Sequence, residues 1–216
     1  VLDQMVAKIH WIWEAMNPTG IRNEVWRFLE QRGSFLKEDY IAEDHVTKQR
    51  IVKYISNNPN EQTIVVLDHI ALMKRERGFE LKANIDKMSE YFVTMRNILG
   101  ITPMVVQQFN QTLNSVDRQK FKGVDISPQQ NDFKDSSNCY QDADVAIGIM
   151  NAHRMDLETC IGYNINKESA PYNLKDRFRM LKIIKNRLSR DNIATGLLFF
   201  PESARFEELP RSSELT

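Results

Sequence analysis

A single acid ends the run TIVVLD: Thr63 to Leu67 are apolar or β-branched, and Asp68 follows them directly. A carboxylate at the carboxyl end of a buried strand can hold a magnesium ion through its water shell, or it can cap the turn or helix that follows. A second apolar run, TPMVVQQFN, ends in two amides, Gln107 and Gln108, which can meet a phosphate oxygen or a water without adding charge. Farther on, KIIKNR sets Lys185 and Arg187 two apart. On an extended segment, residues i and i+2 share a face, so both cations can reach one anion. KDSSNCYQDADVAIGI leads with Lys134, passes small hydroxyl residues and places Asp142 and Asp144 just before a third apolar run. Acid, amide and paired cations are the groups that handle a phosphate beside a metal ion.

These residues need elements to position them. TIVVL does not alternate, which predicts a strand covered on both faces. Leu81, Ile85, Met88, Phe92, Met95 and Leu99 recur at three and four, predicting a helix over 80–99 closed by Gly100. TPMVVQ and DVAIGIM predict two more buried strands, and FRMLKIIK, TGLLFF and ARFEEL predict a hairpin-rich edge. The first sixty residues have a helical period. Leu2, Met5, Val6, Ile9, Trp13 and Met16 predict one helix, broken by NPTG. Ile21, Val25, Phe28 and Leu29 predict a second over 21–32 with Gly33 as its cap, and Asp44 would cap a third that buries Ile51, Val52 and Ile55 until NNPN. Strand, helix, strand and further strands make an α/β fold with a mainly parallel central sheet flanked by helices. The polar stretch 111–138 has the length of a functional loop.

The chain has 216 residues, 42% apolar and 27% charged, with a formal net charge of zero. Any contact with nucleic acid must therefore be local and not a global attraction. No apolar run reaches 18 residues, so no membrane span is expected. VLDQMVAKIHWIWEAMN carries acids and a helical period, unlike a secretory leader. Cys139 and Cys160 have no metal-ligand spacing and are expected as reduced thiols.

In this order, VVLDHIALM, VVQQFN, KDSSNCYQDADV, KNR and SARFEEL resemble the ATPase domain of DnaB-type replicative helicases, a branch of the RecA-like P-loop fold. QDADV is the most specific block, and the resemblance covers about residues 60–209. It implies a partial RecA-like domain over 1–209, with a helical segment 1–60, a Walker B strand to C-terminal hairpin portion 61–209, and a tail 210–216. Asp68 then corresponds to the magnesium-organising acid and Gln108 to the glutamine that senses the γ-phosphate. Lys185 and Arg187 correspond to the pair that reaches a neighbouring subunit's nucleotide, and Lys134, Asp135 and Ser137 to the loop along single-stranded DNA. The implied cofactors are ATP and Mg2+. The implied partners are single-stranded or forked DNA, five further copies in a homo-hexamer, a primase and a helicase loader. The implied activity is 5′ to 3′ unwinding in the cytoplasm of a bacterial or phage-infected cell.

The chain also departs from the pattern. Lys134-Asp135-Ser136-Ser137 stands for Arg-Glu-Ser-Gly, trading a bidentate fork for a point charge and losing a glycine. Gln107 replaces a serine, and His69 stands where an aromatic is usual, expected as a hydrogen-bonded interior histidine. Arg205 and Phe206 are candidates to lie against the nucleotide base, against the alternative that the Phe packs in the core. No G-x-x-x-x-G-K-[ST] loop occurs, and VLDQMVAKI resembles the helix after the family's catalytic glutamate. The N-terminal strand and phosphate loop are thus missing, and the chain alone is not expected to hydrolyse ATP. Two other functions stay open: a recombinase-like ATPase of the same superfamily, and a non-hydrolysing module that binds single strands or a partner.

Overall fold

Asn17 and Pro18 start the first helix instead of merely ending something before it. In the computed structural model, which describes residues 8–109, 126–133, 138–166, 168–169 and 172–214, α1 spans Pro18–Glu30. Asn17 caps it, its side chain accepting the Gly20 N–H at 2.7 Å, and proline suits the first helical position because its missing N–H would be an orphan there. Residues 8–17 hold no helix. The residue before a proline is pushed toward extended backbone, and Trp11 and Trp13 stack at 5.3 Å. The predicted helix over 1–16 is corrected to that extent; residues 1–7 lie outside the described set.

The chain divides into two compact units, Val1–Gln108 and Phe109–Thr216. In the first, Ile21, Val25 and Leu29 form the buried stripe of α1, and α2, Leu81–Leu99, buries Ile85, Met88, Phe92, Met95 and Leu99. Gly100 ends α2 at φ 65°, a left-handed cap that only glycine adopts without strain. The third predicted helix is absent. Residues Gly33–Ile41 (β1) and Thr47–Ser56 (β2) form an antiparallel hairpin instead. Ile51, Val52 and Ile55 fit a helical stripe, but the segment is rich in β-branched and aromatic residues, and these decide for strand. Phe35 stacks between Trp26 and Tyr54, and Tyr54 donates to Leu29 O at 3.2 Å, so the aromatic base of the hairpin is fixed to α1. Asp44 sits in the turn, paired with Lys48 at 2.7 Å. Gly33 is not the helix cap. It opens β1, where a Cβ would meet Ile55 O at 2.3 Å.

Strand β3, Ile64–Leu67, pairs in parallel with β4, Thr102–Val105, across α2, as a strand–helix–strand unit requires. The pair is not covered on both faces: Ile64 is 57% exposed and Val66 59%, while Val65 and Leu67 are half-buried. Among the described residues this is the one parallel pairing, so the mainly parallel sheet of the sequence analysis is represented by two strands.

The second unit is antiparallel. Its sheet runs β12 (Arg205–Glu208), β11 (Ile193–Phe200), β10 (Phe178–Asn186), β5 (Val145–Met150). Two short ladders, β6–β7 (Thr159–Cys160 with Tyr163–Asn164) and β8–β9 (Glu168–Ser169 with Tyr172–Asn173), lie between β5 and β10 in sequence. Alternation along β10 buries Phe178, Met180, Lys182 and Ile184 on one face. Buried Lys182 is satisfied by Ser127 Oγ at 2.6 Å. Gly148 admits Pro128, since a Cβ there would meet Pro128 Cβ at 2.8 Å. Neither cysteine forms a disulfide, and Cys160 is buried with its Sγ 3.6 Å from Met180 Sδ.

Candidate functional site

Parallel pairing sends the carboxyl ends of β3 and β4 to one edge. Leu67 lies opposite Val105, the Val106 N–H reaches Leu67 O at 2.9 Å, and the Ile70 N–H reaches Val106 O at 3.1 Å. Asp68 and Gln107–Gln108 therefore leave the sheet side by side. Burial alternates beyond the strands: Ile64, Val66 and Asp68 are exposed in turn, and so are Met104, Val106 and Gln108, whereas Gln107 is half-buried. Of the two amides, Gln108 shares the open side with Asp68. His69 is half-buried and not fully interior.

A magnesium ion takes one or two carboxylates, keeps several waters and fills the rest of its octahedron with substrate phosphates. A single exposed carboxylate at a sheet edge fits that mode. No group of three His, Cys, Asp or Glu residues able to cage a metal exists among the described residues.

The cations lie on the antiparallel sheet, at the end of β10. The structure brings them together: Lys185 Nζ donates to Gln141 O at 2.8 Å, and Arg187 Nη2 donates to the same oxygen at 2.7 Å. Spacing of two thus brings both groups to one acceptor, here a main-chain carbonyl and not an anion. Lys185 also donates to Tyr140 O at 2.8 Å and lies 5.0 Å from the Tyr140 ring centre. Arg187 Nη1 pairs with Asp144 Oδ1 at 3.1 Å, and the Arg187 side chain is 46% exposed. The acceptors belong to a one-turn helix, α3, Asn138–Asp142, and the residues after it. Sequence reading singled out Asp142 and Asp144 by type but missed Tyr140 and Gln141, because a main-chain oxygen has no letter of its own.

Asp68 and Gln108 belong to one unit, Lys185 and Arg187 to the other, and the two pairs stand on different sheets. Lys134, Asp135 and Ser137 lie outside the described residues. Phe206 is 45% exposed and stacks on Phe199 at 4.8 Å, while Arg205 lies 4.7 Å over Phe200 and pairs with Glu207 at 2.9 Å. Phe206 is thus not a core residue. No helix among the described residues is long and apolar enough to cross a membrane.

Comparison with known proteins gives two findings. A family model described as the DnaB-like helicase C-terminal domain matches residues 20–208. A solved structure of a DnaB-like replicative helicase, described with its interactions with primase, superposes with a TM-score of 0.54 at 17% identity. That match covers 88% of this chain and 36% of the other, so the chain spans about a third of the helicase's length. No curated protein matches.

Proposed function

The chain belongs to the family of DnaB-like helicase C-terminal domains, and on that premise we propose that it is part of an ATP-driven replicative DNA helicase working as a ring of six. Family membership carries the RecA-like α/β fold. The observation that carries the site is the meeting of Lys185 and Arg187 on one oxygen, since two cations that converge on a carbonyl can converge on a phosphoryl oxygen. In the proposed ring, each subunit offers this pair to the triphosphate of the next, and Asp68 and Gln108 face that triphosphate from the subunit that binds it.

Magnesium, when bound, would supply positive charge to the phosphates, and Asp68 is the residue that would hold it. Asp68 would hold its water shell through its carboxylate. Gln108 would donate its amide N–H to the terminal phosphate or orient the attacking water, and so report on its presence. Arg187 would place a permanent charge against the phosphoryl group as it is transferred, an effect worth roughly 10³ to 10⁵ in rate where known. Lys134, Asp135 and Ser137 would meet single-stranded DNA through its phosphates, which positions a strand without reading its sequence. Movement 5′ to 3′, a primase and a loader as partners, and a bacterial or phage-infected cytoplasm belong to the same proposal.

Mixing two inactive variants of the full-length protein tests the shared site. Arg187→Ala and Asp68→Asn are each expected to lose ATP turnover while still binding nucleotide. Mixed rings are expected to regain part of it, because some interfaces then join an intact Asp68 to an intact Arg187. No recovery in mixed rings that assemble normally would refute a site built from two subunits. Lys134→Ala is expected to weaken single-strand binding and to lower its salt slope by about one ion; an unchanged slope would remove that residue from the DNA contact.

A further inference from the structure

Lys185 and Arg187 are not idle where they stand. Three main-chain contacts from their side chains end on Tyr140 O and Gln141 O, at 2.7 to 2.8 Å, and a fourth contact pairs Arg187 with the Asp144 carboxylate. The backbone beneath is pinned as well, the Arg187 N–H reaching Asp144 O at 2.9 Å. We propose that Asp144 and the terminal carbonyls of α3 form a holding station for the cationic pair. Asp144 is then a positioning residue, and the triphosphate of a neighbouring copy must draw the pair off this station in order to bind it.

The inference rests on the assignment of Lys185 and Arg187 to a neighbour's nucleotide and adds a second position for the same side chains. Helix-terminal carbonyls carry partial negative charge and lack intrahelical donors, so a cation satisfies them. Hydrogen bonds from an ionised donor are stronger than neutral ones, which keeps both side chains on one side of β10. The hold is nonetheless weak. Arg187 and Asp144 are 46% and 38% exposed in their side chains, and exposed pairs are worth roughly a few-fold in an equilibrium constant. A polyphosphate, with several charges and many acceptor oxygens, can outbid it. The same donors cannot serve both partners at full strength, so anion binding and the anchoring of α3 oppose each other. Linkage makes that opposition reciprocal: whatever factor the anion takes from α3, α3 takes from the anion. The order of α3 thereby becomes a reporter of nucleotide occupancy next door.

Amide hydrogen exchange over 139–146 in the full-length protein, with inorganic tripolyphosphate as the probe, tests this. Arg187→Ala and Asp144→Asn are each expected to speed exchange there by about two- to fivefold, with Asp144→Glu retaining most of the protection. Tripolyphosphate is expected to speed it similarly in the unmodified protein and to do nothing further in Lys185→Ala/Arg187→Ala. Asp144→Asn is also expected to tighten tripolyphosphate binding roughly two- to fivefold, whereas a purely structural Asp144 would leave it unchanged or weaken it. Unaltered exchange in both single variants overturns the station. If the double variant loses tripolyphosphate affinity yet the probe leaves exchange unchanged, the competition is overturned and the nucleotide assignment stands. If the double variant keeps full affinity, the nucleotide assignment fails and takes the inference with it.

Discussion

Single residues carry sharp expectations because their partners are few. Glu76 accepts from the Thr19 backbone N–H at 3.0 Å, from the Thr19 hydroxyl at 2.5 Å and from Lys87 Nζ at 2.5 Å, tying the first turn of α1 to α2. The Lys87 ammonium, and after it the Thr19 hydroxyl, hold the Glu76 carboxyl below its ordinary range. A depressed carboxylate contributes stability above its unfolded pKa and loses it as pH falls through the folded value. The acid limb of the unfolding curve is therefore expected to flatten in Glu76→Gln, measured by urea midpoints from neutral pH down to about pH 3; an unchanged limb would mean the knot contributes nothing. Asn17→Ala removes the cap of α1 and is expected to cost about 1 kcal/mol. Gly148→Ala pushes a methyl group into Pro128, Ile184 and Phe109 and is expected to cost about 1–3 kcal/mol through overpacking.

Among the elements, those with an unambiguous period were legible from sequence alone. Helix α2 follows from spacing, strands β3 and β4 and the β10–β11–β12 meander from short apolar runs between turn residues, and Gly100 marks the end of α2 as expected. Asp68, Gln108, Lys185 and Arg187 were singled out by type and position as candidates, and the structure adds which amide shares a side with the acid and which oxygen the cations share. The region 33–56 was not legible, because Ile51, Val52 and Ile55 suit a helix face as well as a strand, and pairing of Ile51 with Lys37 and of Ile55 with Ser34 adds to what the β-branched residues favour. The exposed face of the β3–β4 pair was missed for a similar reason: a continuous apolar run shows what a strand can bury, and neighbours decide what it does bury. The outer part of the β1–β2 hairpin is a solvated ribbon held by Arg50 and Glu38 and by Gln49 to Asp39 at 3.0 Å. Replacing residues 38–50 by an Asn-Gly turn, which joins the paired Lys37 and Ile51, is expected to change stability by no more than about 0.5 kcal/mol, since surface features away from the core rarely matter more. A loss several times larger in thermal unfolding would show that the ribbon supports the unit.

At the scale of the whole molecule, the apolar surface left open is considerable. On the β10 sheet, Val145, Ile147, Ile149 and Ile193 are 43–54% exposed, and soluble monomers rarely expose contiguous patches of this kind. The isolated 216-residue chain is expected to bind a hydrophobic dye and to self-associate through this face, and Ile147→Lys is expected to reduce both while leaving the circular dichroism spectrum intact. Equal dye binding in that variant would locate the open surface elsewhere. Gln141 has a different consequence. Its oxygen is main-chain, so any amino acid at that position offers the same acceptor, and a survey of letters across homologues would pass over it as neutral. What such a survey should find instead is a fixed count of residues between the helix turn and the following strand, with insertions purged where replacements drift freely.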